Sequence, residues 1–236
     1  MKEIDASFIE SIKRTHTISS FRFIPAEKID FIPGQFSEVI FDEANRGNKE
    51  LNKYLSFSSS PADNYIEVTK RLSESSFSRR LWELNNGDKV LFKTPLGNCV
   101  FKDSYKKIGF LIGGIGITPV ISIVEYIINN KLDTDVCLVY SNRTEDDIAF
   151  KKELDLWQNI NKNIKIYYLV SDCQPKDPNC ILGRIDANFL KGNYCDIKER
   201  FSFIFGPPKM VEAMAALCFE LGGDKENIKV ESFIGY

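Results

Sequence analysis

From Ile9 to about Phe101 the chain alternates apolar and polar positions with a period close to two. Such alternation predicts β-strands that bury one face. Turn-forming residues separate the runs, as at Pro33-Gly34 and at Asn86-Gly87-Asp88, and a short helix is predicted at Ser78–Leu84. The clearest runs are SFRFIP, FSEVIF, YIEVTK and DKVLFKT. Six short antiparallel strands with one helix favour a small closed barrel, because closure removes exposed sheet edges.

After Lys102 the pattern changes to continuous apolar runs that alternate with helical segments. This order predicts a parallel sheet that is covered on both faces. Ligands of such sheets bind beyond the carboxyl ends of the strands, here after Ile112, Tyr140, Val170 and Phe205. The sequence therefore predicts two domains, an antiparallel six-stranded β-barrel at residues 1–102 and an α/β parallel sheet at residues 103–236. The predicted strands of the second domain are IGFLIGG, DVCLVYSNR, IKIYYLVS, RFSFIFG and IKVESFIGY, and its helices are PVISIVEYIINN, AFKKELDLWQN, a segment near Ala187–Leu190 and PPKMVEAMAALCFELG.

The apolar stretch Gly109–Ile128 is close to the length that a bilayer requires. Three glycines and Pro119 interrupt its middle, so the stretch is better interpreted as a buried strand, a turn and the start of a helix. We therefore expect no membrane span.

Composition narrows the possible classes of protein. The chain has 236 residues, of which 43% are hydrophobic, so packed cores are expected. Its net charge of −2 arises from interspersed acidic and basic residues, which disfavours nucleic-acid binding. The N-terminus has no apolar core of signal-peptide length, which favours a cytoplasmic protein with free thiols. The six cysteines are not clustered as an iron–sulfur or zinc site requires, and the single His16 cannot form a histidine-based metal site.

The strongest local signal is Gly113–Pro119, GGIGITP, which joins an apolar strand to a helix. Glycines let the backbone approach a ligand closely, and Pro119 suits the first helical turn. The free amides of that turn would bind an anion such as a pyrophosphate. Taken alone, the segment is equally consistent with a tight strand–helix turn that binds nothing.

Three further motifs accompany this loop along the chain. Pro33–Phe36 reads PGQF, Leu55–Ser58 reads LSFS and Gly206–Met210 reads GPPKM. In this order the motifs make the chain resemble the ferredoxin–NADP reductase-like superfamily of flavoprotein reductases, over nearly its whole length. The resemblance implies FAD bound by the barrel and NAD(P)H bound by the α/β domain.

The resemblance also assigns roles to residues of the barrel. Phe57 would lie against the flavin, and Ser58 would form a hydrogen bond near flavin N5, where hydride arrives. The strand at Val68–Lys70 would line the flavin, and the residues at the start of the short helix would hold its pyrophosphate. The alternatives are an ordinary strand with alternating serines and serines that only cap the helix. The predicted flavin contacts are Phe57, Ser58, Ser59, Val68, Thr69, Lys70, Ser76, Phe77 and Ser78.

Leu55 departs from the motif, because the superfamily usually has an arginine there that pairs with the flavin phosphate. Leucine cannot form charge-assisted hydrogen bonds. Either Lys70 or Arg71 compensates, or flavin binding is weakened. FAD is the expected cofactor, and FMN or a loosely held flavin is the alternative.

In the second domain the resemblance implies that Ser141 and Arg143 meet the adenosine ribose of the nucleotide. Arg143 would neutralise a 2′-phosphate, but the same turn would equally bind a 2′-hydroxyl, so NADH and NADPH both remain open. Phe205 stands where the superfamily often has a cysteine beside the transferred hydride. The predicted nucleotide contacts are Gly113, Gly114, Gly116, Ile117, Thr118, Pro119, Ser141, Arg143, Gly206, Pro207, Pro208 and Met210.

The C-terminal residues carry a further prediction. Relatives often end in an aromatic ring that stacks on the flavin, which assigns this role to Tyr236, and Glu231 would lie near the same face. The alternatives are a frayed terminus and a surface carboxylate. Ser58, Glu231 and Tyr236 are thus the expected catalytic residues.

The predicted reaction is hydride transfer from NAD(P)H to the bound flavin, followed by electron transfer to a separate acceptor such as ferredoxin or another redox partner. The acceptor is separate because the cysteines do not supply an iron–sulfur cluster of the chain's own. The alternatives are a free-flavin or ferric reductase and a non-catalytic regulatory subunit that binds flavin or nucleotide.

Overall fold

The computed structural model describes residues 1–194 and 196–233, which form two compact units. The first unit consists of Met1–Phe101 and Thr118–Asn129. The second consists of Lys102–Ile117 and the described residues from Asn130 on.

A six-stranded antiparallel sheet forms the first unit, with the strand order β4-β3-β6-β1-β2-β5. The end strands β4 and β5 meet through a bridge between Phe57 and Val68, so the sheet curls into a nearly closed barrel, as the sequence predicted. The strands are β1 (Lys2–Lys13), β2 (Ile18–Pro25), β3 (Phe36–Ile40), β4 (Asn52–Ser56), β5 (Ile66–Arg71) and β6 (Lys89–Leu96). The helices of this unit are α1 (Ser76–Trp82) and α2 (Thr118–Asn129).

Strand β1 begins well before the first run that the alternation predicted. Ile4, Ala6 and Phe8 point into the barrel core, but a bulge between Phe8 and Glu10 interrupts the register with β2. The bulge shifts the inward-facing positions by one residue, which hides the period-two signal in the sequence.

Helix α1 begins at Ser76, two residues before the predicted start. Its N-cap is Ser75, whose hydroxyl accepts a hydrogen bond from the Ser78 amide. Phe77 and Leu81 bury one face of the helix in the barrel core.

The second unit contains a six-stranded parallel sheet with the strand order β10-β9-β8-β7-β11-β12, which confirms the predicted α/β class. The chain order reverses between β7 and β11, and ligands of such sheets bind at this switch point. The strands are β7 (Lys107–Gly113), β8 (Asp135–Asn142), β9 (Ile164–Val170), β10 (Cys180–Leu182), β11 (Phe201–Gly206) and β12 (Ile228–Ser232). The helices are α3 (Lys151–Ile160), α4 (Ala187–Asn193) and α5 (Pro208–Glu220).

Within residues 1–194 and 196–233, no helix combines the length and the apolar character that crossing a bilayer demands.

Candidate functional site

The two loops at the switch point of the parallel sheet lie backbone to backbone. Gly113 ends β7, and Gly206 ends β11 with a φ of 157°. A Cβ on Gly206 would come within 3.2 Å of the Gly113 backbone, and a Cβ on Gly116 would lie 2.5 Å from the carbonyl oxygen of Phe205. Glycine is therefore required here by the packing of the two loops, which brings the predicted motifs GGIGITP and GPPKM together.

The remaining residues of these motifs support the same arrangement. A Cβ on Gly113 would collide with the Met210 sulfur and approach Pro207, so these side chains lie directly over the glycine loop. Gly114 has a φ of 53°, in the left-handed region that favours glycine. Ile117 is buried, and Thr118 and Pro119 form the buried first turn of α2. Pro208 opens helix α5.

The last residue of β8 carries a buried amide that was not among the predicted nucleotide contacts. Asn142 is 7% exposed, and neither its side-chain oxygen nor its nitrogen has a hydrogen-bond partner in the part of the chain that the structure describes. It lies between the two predicted ribose contacts, the half-buried Ser141 and the exposed Arg143. In the sequence, Asn142 stands out as a polar residue at the carboxyl end of an apolar strand. Polar side chains are seldom buried, and ligands of parallel sheets bind at these strand ends.

The end of β8 is also joined to the end of β9. The Ser171 amide donates to the Asn142 carbonyl at 3.2 Å, and the Asp172 amide donates to the Arg143 carbonyl at 2.8 Å. The segment that follows Arg143 contains three consecutive carboxylates, Glu145–Asp147. Acidic groups thus outnumber the single arginine at this edge of the sheet.

In the barrel unit, Phe57 lies in the hydrophobic core and not on a surface. Its ring is fully buried and stacks on Phe31 with a centroid separation of 4.1 Å. Val68, its bridge partner on β5, is fully buried in the same core. In this conformation neither side chain offers a surface to a flavin ring.

Ser58 belongs to a buried polar network on the other face of β5. Its hydroxyl lies 2.7 Å from the Thr69 hydroxyl and donates to the Glu67 carboxylate at 3.2 Å. Arg14 donates to both oxygens of Glu67, at 3.0 and 3.1 Å, and Arg22 donates to it at 2.8 Å. Two guanidinium groups therefore compensate the burial of this carboxylate, which is 2% exposed.

Ser59 and Ser78 also use their hydroxyls within the barrel unit. The Ser59 hydroxyl accepts a hydrogen bond from the Glu67 amide at 2.9 Å. The Ser78 hydroxyl accepts one from the Ser73 amide at 3.2 Å, and Ser76 is exposed at the first position of α1. A cavity of about 360 Å³ opens beside α1, and of the predicted flavin contacts Ser78 alone lines it.

Lys53 and Ser56 are candidate contacts that the sequence reading passed over, because it placed the flavin motif at Leu55–Ser58. Ser56 is buried on β4, and its hydroxyl forms no hydrogen bond among residues 1–194 and 196–233. Lys53 lies on the same strand, and its charge acts on Lys70 of β5. The signal was the position of Lys53, which alternates with Leu55 and Phe57 and so shares their side of the strand; Phe57 is in the core and Leu55 packs against it.

Two carboxyl groups meet at the amide of Ser60. This N–H donates to Asp63 at 3.0 Å and to Glu125 of α2 at 3.0 Å. Burial, together with the nearby charge of Asp63, raises the pKa of Glu125 to about 7. Burial also raises the pKa of Asp63.

Glu231 lies on β12 opposite Phe205 of β11. Its buried Oε2 has no hydrogen-bond partner among the described residues, and burial raises the pKa of its carboxyl group. The other expected C-terminal contact, Tyr236, lies outside the described residues.

Comparisons with known proteins agree with this architecture. The model of the oxidoreductase NAD-binding domain matches residues 110–216. The chain is 32% identical over 223 residues to the NADH-cytochrome b5 reductase 1 of Eremothecium gossypii, covering 89% of this chain and 76% of the relative. It is 27% identical over 227 residues to the protein of the same name from Mortierella alpina, covering 93% and 75%.

Among solved structures, a ferredoxin NADP+ reductase from Neisseria gonorrhoeae with bound FAD and NADP superposes with a TM-score of 0.82. The two chains are 19% identical, and the match covers 98% of this chain and 99% of the other. At this identity the likeness supports the two-part fold alone.

Proposed function

Because this chain belongs to the ferredoxin–NADP reductase-like flavoprotein reductases, in the family that includes the NADH-cytochrome b5 reductases, we propose that it oxidises NAD(P)H with a bound FAD and passes the electrons to a separate redox protein. The observation that carries this proposal is the close approach of Gly113 and Gly206 at the switch point of the parallel sheet. The glycines let the backbones at the carboxyl ends of β7 and β11 pack closely at the switch point, where sheets of this kind bind nucleotides.

The residues of this structure fit the two nucleotides. The buried amide of Asn142 has a donor and an acceptor that a bound nucleotide would satisfy. On β4 and β5 the Ser56 hydroxyl and the Lys70 ammonium have no partner within the described residues, so donors remain for a flavin nucleotide. A flavin bound there would supply the redox chemistry, taking a hydride from the nicotinamide and releasing electrons one at a time.

The side chains of this chain bind and orient the two groups. The glycine loop and the Pro207-Pro208 loop would hold the nucleotide, and Met210 would close over Gly113. Glu231, whose pKa is raised by burial, would form a hydrogen bond or exchange a proton at the edge of the nucleotide site. The Glu67 network fixes the strand that carries Thr69, so that these contacts are rigid.

We further propose NADH as the preferred donor. Arg143 is the exposed cation at the end of β8, and three carboxylates follow it at Glu145–Asp147. A 2′-phosphate would bring two more negative charges beside these groups, whereas a 2′-hydroxyl would not. The names of the relatives, NADH-cytochrome b5 reductases, support the same donor and suggest a small haem protein as the acceptor.

The test is steady-state oxidation of NADH and NADPH by the FAD-reconstituted protein, first with ferricyanide and then with cytochrome b5, a ferredoxin or free flavin as acceptor. We expect rapid ferricyanide reduction with NADH, and faster reduction of a redox protein than of free flavin. Reduction of free flavin or ferric chelates alone would replace the proposal with a flavin or ferric reductase. The absence of turnover with every acceptor would contradict both enzyme functions and favour the alternative of a non-catalytic regulatory subunit.

A further inference from the structure

The β9–β10 loop, residues 171–179, is fastened in its middle by one side chain. One oxygen of the Glu145 carboxylate accepts hydrogen bonds from the amides of Lys176 at 2.9 Å and of Asp177 at 3.0 Å. The residues of this loop are half-buried or exposed, so packing in a hydrophobic core does not hold it. Its position therefore depends on hydrogen bonds and ion pairs.

A second contact fixes the same part of the loop. The Lys151 ammonium group of α3 lies 2.8 Å from the Asp177 carboxylate and 2.7 Å from the Asp155 carboxylate. Asp155 in turn accepts a hydrogen bond from the Tyr168 hydroxyl of β9 at 2.8 Å. The middle of the loop is thus held between the segment that follows β8 and the helix α3.

The start of the loop lies at the edge of the sheet where a nucleotide would bind. The Ser171 and Asp172 amides donate to the carbonyls of Asn142 and Arg143. The buried side chain of Asn142 has no hydrogen-bond partner among the described residues, and ligands of parallel sheets bind at these strand ends. A displacement of the loop would therefore change the surroundings of the polar groups that are proposed to meet the nucleotide.

The carboxylates at Glu145–Asp147 differ in what they contact. The two backbone hydrogen bonds to Glu145 lower the pKa of its carboxyl group, so this group is ionised at neutral pH. Asp147 accepts hydrogen bonds from the Thr144 hydroxyl at 2.8 Å and from the Thr144 amide at 3.3 Å. Asp146, between them, is exposed. Glu145 is thus the carboxylate of this segment that is directed at the backbone of the β9–β10 loop.

We propose that Glu145 is a positioning residue of the nucleotide site: its carboxylate holds the β9–β10 loop as one wall of that site and does not touch the nucleotide itself. This inference rests on the proposed function, because that function supplies the nucleotide. The contribution of Glu145 is preorganisation, since a loop that is already ordered spares the ligand the entropic cost of ordering it.

Three substitutions of Glu145 separate the reach of its side chain from its charge. Glu145→Ala removes both. Glu145→Gln keeps an oxygen at the same reach without the charge, and this oxygen can accept from both amides, because both bind a single oxygen in the wild type. Glu145→Asp keeps the charge, but its side chain is shorter by a methylene group and loses the reach.

The affinity for the nucleotide is measured in two ways: as the Kd for ADP-ribose by calorimetry, and as the KM for NADH with ferricyanide as acceptor. In Glu145→Ala and Glu145→Asp we expect both constants to rise by about fivefold or more, because the ligand must then order the loop. The kcat should stay within about twofold, since the loop contributes equally to binding of the ground state and of the transition state. Glu145→Gln should resemble the wild type.

A direct effect of the charge on the nucleotide predicts a different order of the variants. Glu145→Ala and Glu145→Gln would then both bind the negatively charged ADP-ribose more tightly than the wild type, and Glu145→Asp would bind it equally well. That order would overturn the positioning role.

Trypsin reports the position of the loop without any coenzyme. The peptide bond between Lys176 and Asp177 contains one of the two amides that bind Glu145. Cleavage there requires the backbone to leave the carboxylate, so Glu145→Ala and Glu145→Asp should be cut after Lys176 faster than the wild type and Glu145→Gln. Mass spectrometry of the fragments identifies the cut.

Asp133→Ala is the matched control. The Asp133 carboxylate accepts a hydrogen bond from the Asn163 side chain at 2.9 Å and so joins the segments that precede β8 and β9. It fastens the same two strands at their amino ends, away from the edge where ligands bind. Its loss should change neither the affinity for ADP-ribose nor the rate of cleavage after Lys176.

The outcomes separate the role of Glu145 from the function on which it rests. Wild-type protein that neither binds ADP-ribose nor oxidises NADH would overturn both. Unchanged cleavage after Lys176 in Glu145→Ala would mean that Glu145 does not hold the loop, and faster cleavage with an unchanged Kd would mean that the loop is no wall of the site. Either of these two results would overturn the positioning role and leave the proposed function standing.

Discussion

A methyl group added to Gly116 would lie 2.5 Å from the carbonyl oxygen of Phe205. Its nearest neighbours are backbone atoms, and backbone in the end of a central parallel strand has little freedom to move. The glycine is thus required by the packing of the second unit, whatever the loop binds.

We therefore expect Gly116→Ala to lower the free energy of unfolding by about 1–3 kcal/mol, the usual cost of overpacking. Urea unfolding followed by circular dichroism measures this change. Gly192→Ala is the control, because its Cβ meets no atom within 4 Å, and alanine in helix α4 should stabilise by up to about 1 kcal/mol. Equal stability of Gly116→Ala and wild type would contradict the packing argument.

Substitutions of Phe57 distinguish two roles for its side chain: packing in the barrel core, and the flavin contact that the motif implied. Phe57→Ala should lose about 3–5 kcal/mol of stability, as is usual when a buried ring is removed. Phe57→Leu should unfold more easily than wild type and yet bind FAD with an affinity within about twofold, since hydrophobic swaps in a core mostly cost stability. Flavin titration and urea unfolding of the same preparations separate the two quantities.

The matched control is Phe31→Leu, which changes the ring stacked on Phe57. Both leucine variants should behave alike. A loss of FAD affinity in Phe57→Leu that Phe31→Leu does not share would mean that Phe57 contacts the flavin.

The sequence predicted both fold classes because the two hydrophobic periods differ so strongly on either side of Lys102. It also predicted that the glycine loops follow the ends of two parallel strands, since strand, turn and helix follow each other without a gap there; the strand order that puts these two strands side by side came from the structure. It missed most of β1, because the bulge after Phe8 breaks the alternation. The environment of Phe57 could not be predicted by pattern alone, because alternation does not tell whether its ring packs in the barrel core, where the structure has it, or lies on a ligand surface.

Arg143 should matter more for NADPH than for NADH. It is the exposed arginine at the end of β8, so its loss removes the cation that a 2′-phosphate would need. We expect Arg143→Ala to lower kcat/KM for NADPH by about tenfold or more, the worth of one hydrogen bond to a charged group, and to change NADH use little. Asp146→Asn should act in the opposite direction and improve NADPH use, because it removes one of the adjacent negative charges.

Arg184→Ala is the control for loss of an exposed arginine in the same unit, and it should leave both coenzymes unaffected. Equal losses for NADH and NADPH in Arg143→Ala would mean that this side chain does not meet the 2′ position.

Glu125 makes the stability of the barrel unit depend on pH. Its folded pKa of about 7 lies above the ordinary value of 4.5, so the folded state holds a proton that the unfolded state has released between these values. Stability from this group is therefore fully present below about pH 4.5 and is lost as the pH rises through about 7. Asp63, Glu67, Arg22 and Tyr65 surround it and titrate or carry charge as well, so the wild-type profile alone is not diagnostic.

The difference between wild type and Glu125→Gln isolates the effect, because glutamine keeps an oxygen for the Ser60 amide and carries no charge. Urea unfolding at pH 5 should give similar stabilities for the two proteins. At pH 8 the variant should be the more stable, since wild type then buries a carboxylate next to Asp63. If the difference between the two proteins is the same at pH 5 and pH 8, the carboxyl group of Glu125 does not titrate in this window.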